Sequence, residues 1–323
     1  MNAIRQPAVS GQFYPGNPAD LKTSITEHLN AAVLTDKRIP KAIIAPHAGY
    51  IFSGPVAATA YKRLTLVRNI ITRVVLLGPC HRVPVRGLAL SSADAFATPL
   101  GNIKLDNQAI AKISNLPQVG IFDETHRLEH SLEVHLPFLQ TVLGEFTLVP
   151  LIVGEASPES IAEVLNTIWG KEETLIVVSS DLSHYLDYNS ARKIDGETSK
   201  AIEGLEPEKI ARQGACGRFP VGGLLKLAKQ RGMTVDTVDL RNSGDTAGPK
   251  DRVVGYGAWL FFEPITSTMD SPKLFTSAVI WGRTIKRAPI IDREDRENET
   301  IPITAAREVA RENDFGAGTR ALL

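Results

Sequence analysis

Five short apolar runs constrain this chain most. They are KAIIA (41–45), VVLLG (74–78), FTLVPLIVG (146–154), TLIVVSS (174–180) and VVGYGAWLFF (253–262). Each is nearly continuous, rich in Val and Ile, and too short for a helix. Strands buried on both faces read this way, whereas half-exposed strands alternate. Helical patterns lie between them, among them Pro18–Leu34 and Pro158–Trp169. A sheet with both faces buried needs helices on both sides. The sequence therefore predicts a single layered α/β/α domain over residues 1–263, with a central, largely parallel or mixed sheet. GLALSSADAFATPLG (87–101) predicts a small hairpin or an excursion from that sheet, and VDTVDLRNSG (235–244) a further strand. The first residues read as an irregular arm. Residues 264–323, with the charge-dense IDREDRENET, read as an appended extension, partly disordered or packed on a partner, with a short helix at Thr304–Asn313.

Composition excludes several classes. The 36 basic and 36 acidic side chains cancel, so no nucleic-acid or anionic-membrane partner is expected. No apolar stretch reaches a membrane span, and the amino terminus lacks a signal-peptide core; the expectation is a cytoplasmic protein. Two cysteines, Cys80 and Cys216, without a CxxC, do not make a disulfide scaffold. Neither common glycine-rich phosphate motif occurs, so no nucleotide cofactor is expected.

In open parallel sheets, ligands bind beyond the carboxyl ends of the strands. Those ends carry chemistry here. KAIIA runs into Pro46 and His47, VVLLG into Pro79, Cys80 and His81, and TLIVVSS into Asp181, Ser183 and His184. One such histidine is ordinarily a hydrogen-bonded loop residue. Three together point to a metal site, because neutral imidazole is the commonest protein ligand. If the first two strands adjoin, about 4.8 Å apart, His47 and His81 stand side by side. EHSLEVHLPFLQ predicts a helix over 129–143, with Glu129 and Glu133 on one face as carboxylates supporting ligating histidines. Ser53 and Pro55 predict a helix start, as an N-cap followed by an early proline.

SGQFYPG, APHAGYIFSG, GPCH, EHSLEVHLPFL, SSDLSHY and CGRFP, in this order, resemble the Memo family over Pro7 to about Phe262. The resemblance implies a fold related to the LigB-like class III extradiol dioxygenases. It implies a cleft in which His47, His81 and Cys216 bind iron or copper, zinc being a further candidate, lined by Asp181 and His184. His184 would act as acid or base, oriented or polarised by Asp181. Where the dioxygenases use a carboxylate, the thiolate is softer and itself oxidisable. The implied function is a metal-binding protein with redox or dioxygenase-like activity. A non-catalytic module holding a small molecule, peptide or protein in the inherited cleft, and a zinc-dependent hydrolase, are the alternatives. Family members are grouped with an AMMECR1-like protein and a radical SAM protein, which makes these the expected partners. In animal members a histidine follows the arginine of the CGRFP block. Here Phe219 does, so the rim is less polar and phosphopeptide binding is not expected to transfer. Whether Cys80 competes as a ligand stays open at this level, as does the oligomeric state.

Overall fold

The structure is a computed structural model and describes residues 3–34 and 36–264. The charged extension and its expected helix at Thr304–Asn313 lie outside the described residues. In chain order the strands are β1 (Ile4–Arg5), β2 (Ala42–Ala45), β3 (Arg73–Pro79), β4 (Leu88–Leu90), β5 (Ala95–Thr98), β6 (Gly101–Lys104), β7 (Val119–Ile121), β8 (Thr147–Val153), β9 (Thr174–Ser179), β10 (His184–Leu186), β11 (Thr234–Asn242) and β12 (Val253–Phe262). The helices are α1 (Pro18–Ala31), α2 (Tyr50–Leu64), α3 (Asn107–Ile113), α4 (Asp123–Arg127), α5 (Leu136–Val142), α6 (Pro158–Thr167), α7 (Tyr188–Glu203), α8 (Arg218–Gln230) and α9 (Ser243–Thr246).

Nine strands form one mixed sheet in the order β10-β12-β2-β9-β3-β8-β4-β7, with β11 along the other edge of β12. The centre, β2-β9-β3-β8, is parallel, and β12 runs antiparallel to β2. The 87–101 excursion divides. β4 joins the main sheet, while β5 and β6 form a hairpin that pairs with β1 in a separate three-stranded sheet. The arm thus contains a strand, Ile4–Arg5, which its sequence does not announce.

Alternate residues of the central strands feed two cores. Ile43, Ala45, Val74, Leu76 and Val177 face α1, α2 and α5. Ala42, Ile44, Val75, Leu77 and Val178 face α6 and α8. Both faces are covered, which is why these strands read as unbroken apolar runs. α1 starts as expected at Pro18, where the Asn17 side chain accepts from Ala19 and Asp20 N–H, and it ends at Ala31 rather than Leu34.

Two local expectations fail for a tertiary reason. α2 begins at Tyr50, not at Ser53, and Pro55 lies inside it. The Tyr50 N–H is taken by the Phe13 carbonyl of the arm, so the arm caps the helix, and Ser53 Oγ donates to the Ala48 carbonyl instead. Residues 129–143 are not one helix. Glu129 folds its carboxylate onto the N–H groups of His130 and Ser131, a local bond that competes with helix formation. A single 3-10 turn at Glu133–His135 follows, and α5 starts at Leu136 with Pro137 in its first turn, where proline is favoured.

Candidate metal centre

Three parallel strands deliver the site. His47, His81 and Asp181 each lie two residues beyond the ends of β2, β3 and β9. β2 and β3 are not neighbours, contrary to expectation, because β9 runs between them. The two imidazoles meet anyway, with ring centroids 5.1 Å apart. They reach across the end of β9, whose last residue, Ser179, is small. Cys216 comes from the loop before α8. Gly217 lets this loop close in, since a Cβ there would stand 2.5 Å from the Ser179 carbonyl oxygen.

The hydrogen bonds set the tautomer of both imidazoles. Ser179 Oγ gives its only proton to the Ser131 carbonyl at 2.7 Å. Its 2.5 Å contact with His47 Nδ1 is therefore made with Nδ1–H donating. His47 Nε2 is left bare, 3.5 Å from Cys216 Sγ. Glu129 Oε1 accepts from His81 Nδ1 at 2.9 Å, so in the neutral ring His81 Nε2 is the bare nitrogen. Ligating histidines are commonly held in this way through their second nitrogen.

One donor atom each from His47, His81 and Cys216 lies within 4.8 Å of the others. Around a tetrahedral ion with ordinary metal–nitrogen and metal–sulfur bonds, a nitrogen and a sulfur stand about 3.6 Å apart. The His47–Cys216 distance matches that span, so the residues fit a metal ion.

Burial pushes the His47 pKa well below the usual imidazole range, and the neighbouring histidines His81 and His130 add to this. His47 is therefore neutral, as a ligand must be. Burial, then the Asp181 carboxylate, pushes the Cys216 thiol well above its usual value, so the sulfur carries its proton until a cation displaces it. Asp181 accepts from His47 N–H at 2.8 Å and also from the Ala48 N–H. Burial raises its own pKa, against the pull of His184.

A second donor group, His81, Glu129 and His130, is also close enough for an ion. Here the carboxylate is already engaged, by His81 N–H, His81 Nδ1–H, and the N–H groups of His130 and Ser131. Burial disfavours its charge. The hydrogen bond and charge of His81, and then His130, outweigh burial and hold it down at about 2. Glu129 thus orients His81. The His130 ring stacks on His81 at 4.9 Å and 18°, stands edge-on to His47, and leans on Phe13. Burial lowers its pKa to about 4. A helical reading of 129–143 hid this third imidazole. The signal available in the sequence was Pro137, which is favoured in a helix's first turn and so sets a helix start near Leu136, leaving Glu129 and His130 ahead of it.

His184 lies on β10 at the exposed rim. The Leu182 carbonyl accepts from its Nδ1 at 2.8 Å, leaving Nε2 bare. The expected orientation by Asp181 is corrected to this extent: the Leu182 carbonyl orients the ring, and Asp181 acts on it only through charge. Cys80 turns away, its thiol donating to the Val83 carbonyl. Glu133 does not share a face with Glu129. It binds Arg5, the N–H groups of Ala8 and Val9, and Tyr14 Oη. At the rim, the Arg218 guanidinium covers Phe219 at 4.0 Å.

A family profile described as "Memo-like protein" matches residues 5–260. A MEMO1 family protein of Aquifex aeolicus is 37% identical over 269 residues, covering 80% of this chain and 99% of that protein. Others from Methanosarcina barkeri and Sulfolobus acidocaldarius are each 34% identical, covering 79% and 78% of this chain and 98% and 97% of their own lengths. Among solved structures, an uncharacterized protein from Escherichia coli K12 aligns with a TM-score of 0.42 at 12% identity, over 68% of this chain and 99% of that one, a likeness too low to establish a common fold. By its profile and by these relatives, the chain belongs to the Memo family.

Proposed function

We propose that this protein holds one transition-metal ion, iron or copper, on His47 Nε2, His81 Nε2 and Cys216 Sγ, and that the site serves redox or dioxygenase-like chemistry on a small molecule. The observation carrying this reading is the pair of imidazoles locked by Ser179 and Glu129 with both Nε2 atoms bare beside one sulfur. Three protein ligands leave a coordination position open. Bound there, the ion would polarise a substrate or supply an electron. The chain's own groups do the rest. Ser179 and Glu129 keep the imidazoles aimed. The Cys216 proton leaves on metal binding. His184, with Nε2 free at the rim, takes or returns a substrate proton. A LigB-like ancestry for the fold belongs to this reading, as does a soft thiolate in place of a carboxylate.

The test is metal analysis of protein purified without a metal-affinity tag, alongside His47→Ala and Cys216→Ala. About one equivalent in the wild type, lost in both variants, is expected. Equal and negligible iron, copper and zinc in all three would refute the reading.

A further inference from the structure

One buried hydroxyl beside the site has no role in the arrangement above. Tyr256 lies on β12, is 0% exposed, and its Oη has no hydrogen-bond partner among the described residues. Burying a hydroxyl without a partner is unfavourable, and a phenylalanine would fill the same space without that cost.

Its position is set by the sheet. β12 pairs with β2 as Trp259 with Ile44 and Leu260 with Ile43. β2 ends at Ala45, two residues before His47, and that register sets Ala45 opposite Ala258, two residues after Tyr256. Farther along the same edge of β12, Leu182 N–H donates to the Gly255 carbonyl and Gly255 N–H to the Ser183 carbonyl, each at 2.8 Å, while β11 holds the opposite edge. Tyr256 thus lies where the segment carrying Asp181 and His184 takes over from β2 along β12, and the Asp181 carboxylate acts on its phenol.

We propose that Tyr256 is a ligand-binding residue of this site, its hydroxyl donating a hydrogen bond to an ionised oxygen of a small molecule at the ion's open position. Burial, then Asp181 and Tyr185, hold the phenol well above its usual pKa. It is therefore a neutral donor and not a phenolate ligand of the ion. A neutral donor beside a cationic centre favours a substrate that brings its own negative charge, such as a phenolate, enolate or carboxylate. This inference rests on the metal-site reading above.

The experiment compares wild type, Tyr256→Phe and Tyr61→Phe. The Tyr61 hydroxyl is also buried but is bonded to His135 Nδ1 at 2.6 Å, so Y61F reports what losing a partnered hydroxyl does. Three quantities are read: the apo Tm, the Kd for Co(II), and the Kd of the Co(II) protein for azide, a small anion and hydrogen-bond acceptor, followed by visible absorption. For Y256F the expected results are an unchanged or raised Tm, Co(II) affinity within twofold, and azide binding weakened about five- to tenfold, the worth of one hydrogen bond. For Y61F, a lower Tm and unchanged azide binding are expected. Azide affinity of Y256F within twofold of wild type overturns the inference alone. So does a fall in Tm like that of Y61F, which would give the hydroxyl an internal partner. Wild type that takes up no Co(II) overturns the metal-site reading, and this inference with it.

Discussion

Ser179→Ala removes one oxygen from the end of β9 and tests how the site is aimed. In the wild type that oxygen ties His47 Nδ1–H to the Ser131 carbonyl. The alanine leaves a buried N–H unpaired, which costs about 1–3 kcal/mol. A domain of this size loses about 2–4 °C of Tm per kcal/mol, so a fall of several degrees is expected in the apo protein. The tautomer responds too. Asp181 Oδ2 lies 3.9 Å from His47 Nε2 and Cys216 Sγ lies 3.5 Å from it. With Ser179 gone, the favoured proton position becomes Nε2, facing these acceptors. A metal ion must then reverse that preference before it binds. Losing such a supporting partner weakens metal affinity by about 10- to 100-fold. Differential scanning fluorimetry reads the first effect, a chelator-competition titration with Zn(II) or Co(II) the second, and 15N chemical shifts of the imidazole the tautomer. A lower Tm with metal affinity within twofold of wild type would refute the reasoning, because Ser179 would then be a packing residue only.

Two further outcomes follow from the same geometry. Metal affinity rises with pH, about tenfold per unit between pH 6 and 8, because the Cys216 thiol, raised by burial and Asp181, must release a proton on binding. His47, already neutral there through burial and its histidine neighbours, adds nothing to the slope, so titrations of Cys216→Ala should be markedly flatter. Arg5→Met strands the Glu133 carboxylate, whose side chain is 0% exposed, and removing one partner of a buried pair costs about 3–5 kcal/mol. The urea midpoint should fall accordingly; a change under about 1 kcal/mol would show that the backbone N–H groups of Ala8 and Val9 alone suffice to hold that charge.

Much of the scaffold was legible because its chemistry is local. Val- and Ile-rich runs such as VVLLG announce strands covered on both faces, and Asn17-Pro18 announces a helix start. The carboxyl-edge rule then led to His47, His81 and Asp181, since each follows its strand by a fixed two residues. Sheet order was not legible, because nothing in KAIIA or TLIVVSS states which strand lies beside which. The 129–143 segment was misread for a related reason. Its apolar spacing is helical, yet a carboxylate that accepts from four N–H groups outweighs that preference, and two of those groups belong to His81. The role of the arm was hidden likewise. Ile4–Arg5 and Phe13 take their places only against partners far along the chain, and neither periodicity nor turn chemistry records them. Cys216 carried no local signal, and its grouping with His47 and His81 came from the matched blocks.

The placement of β9 between β2 and β3 has a consequence for biosynthesis. A chain growing on the ribosome completes β3 about a hundred residues before β9, and β2 earlier still. Until Thr174–Ser179 can slot between them, the segments carrying His47 and His81 have no common platform, and the sulfur at 216 arrives later still. Assembly of this centre belongs to the last, long-range phase of folding, where sequence-distant pairings form slowly. A nascent chain exposes its imidazoles singly and binds metal weakly. Tight uptake begins only when the sheet has closed, so metal loading can serve as a direct readout of completed folding.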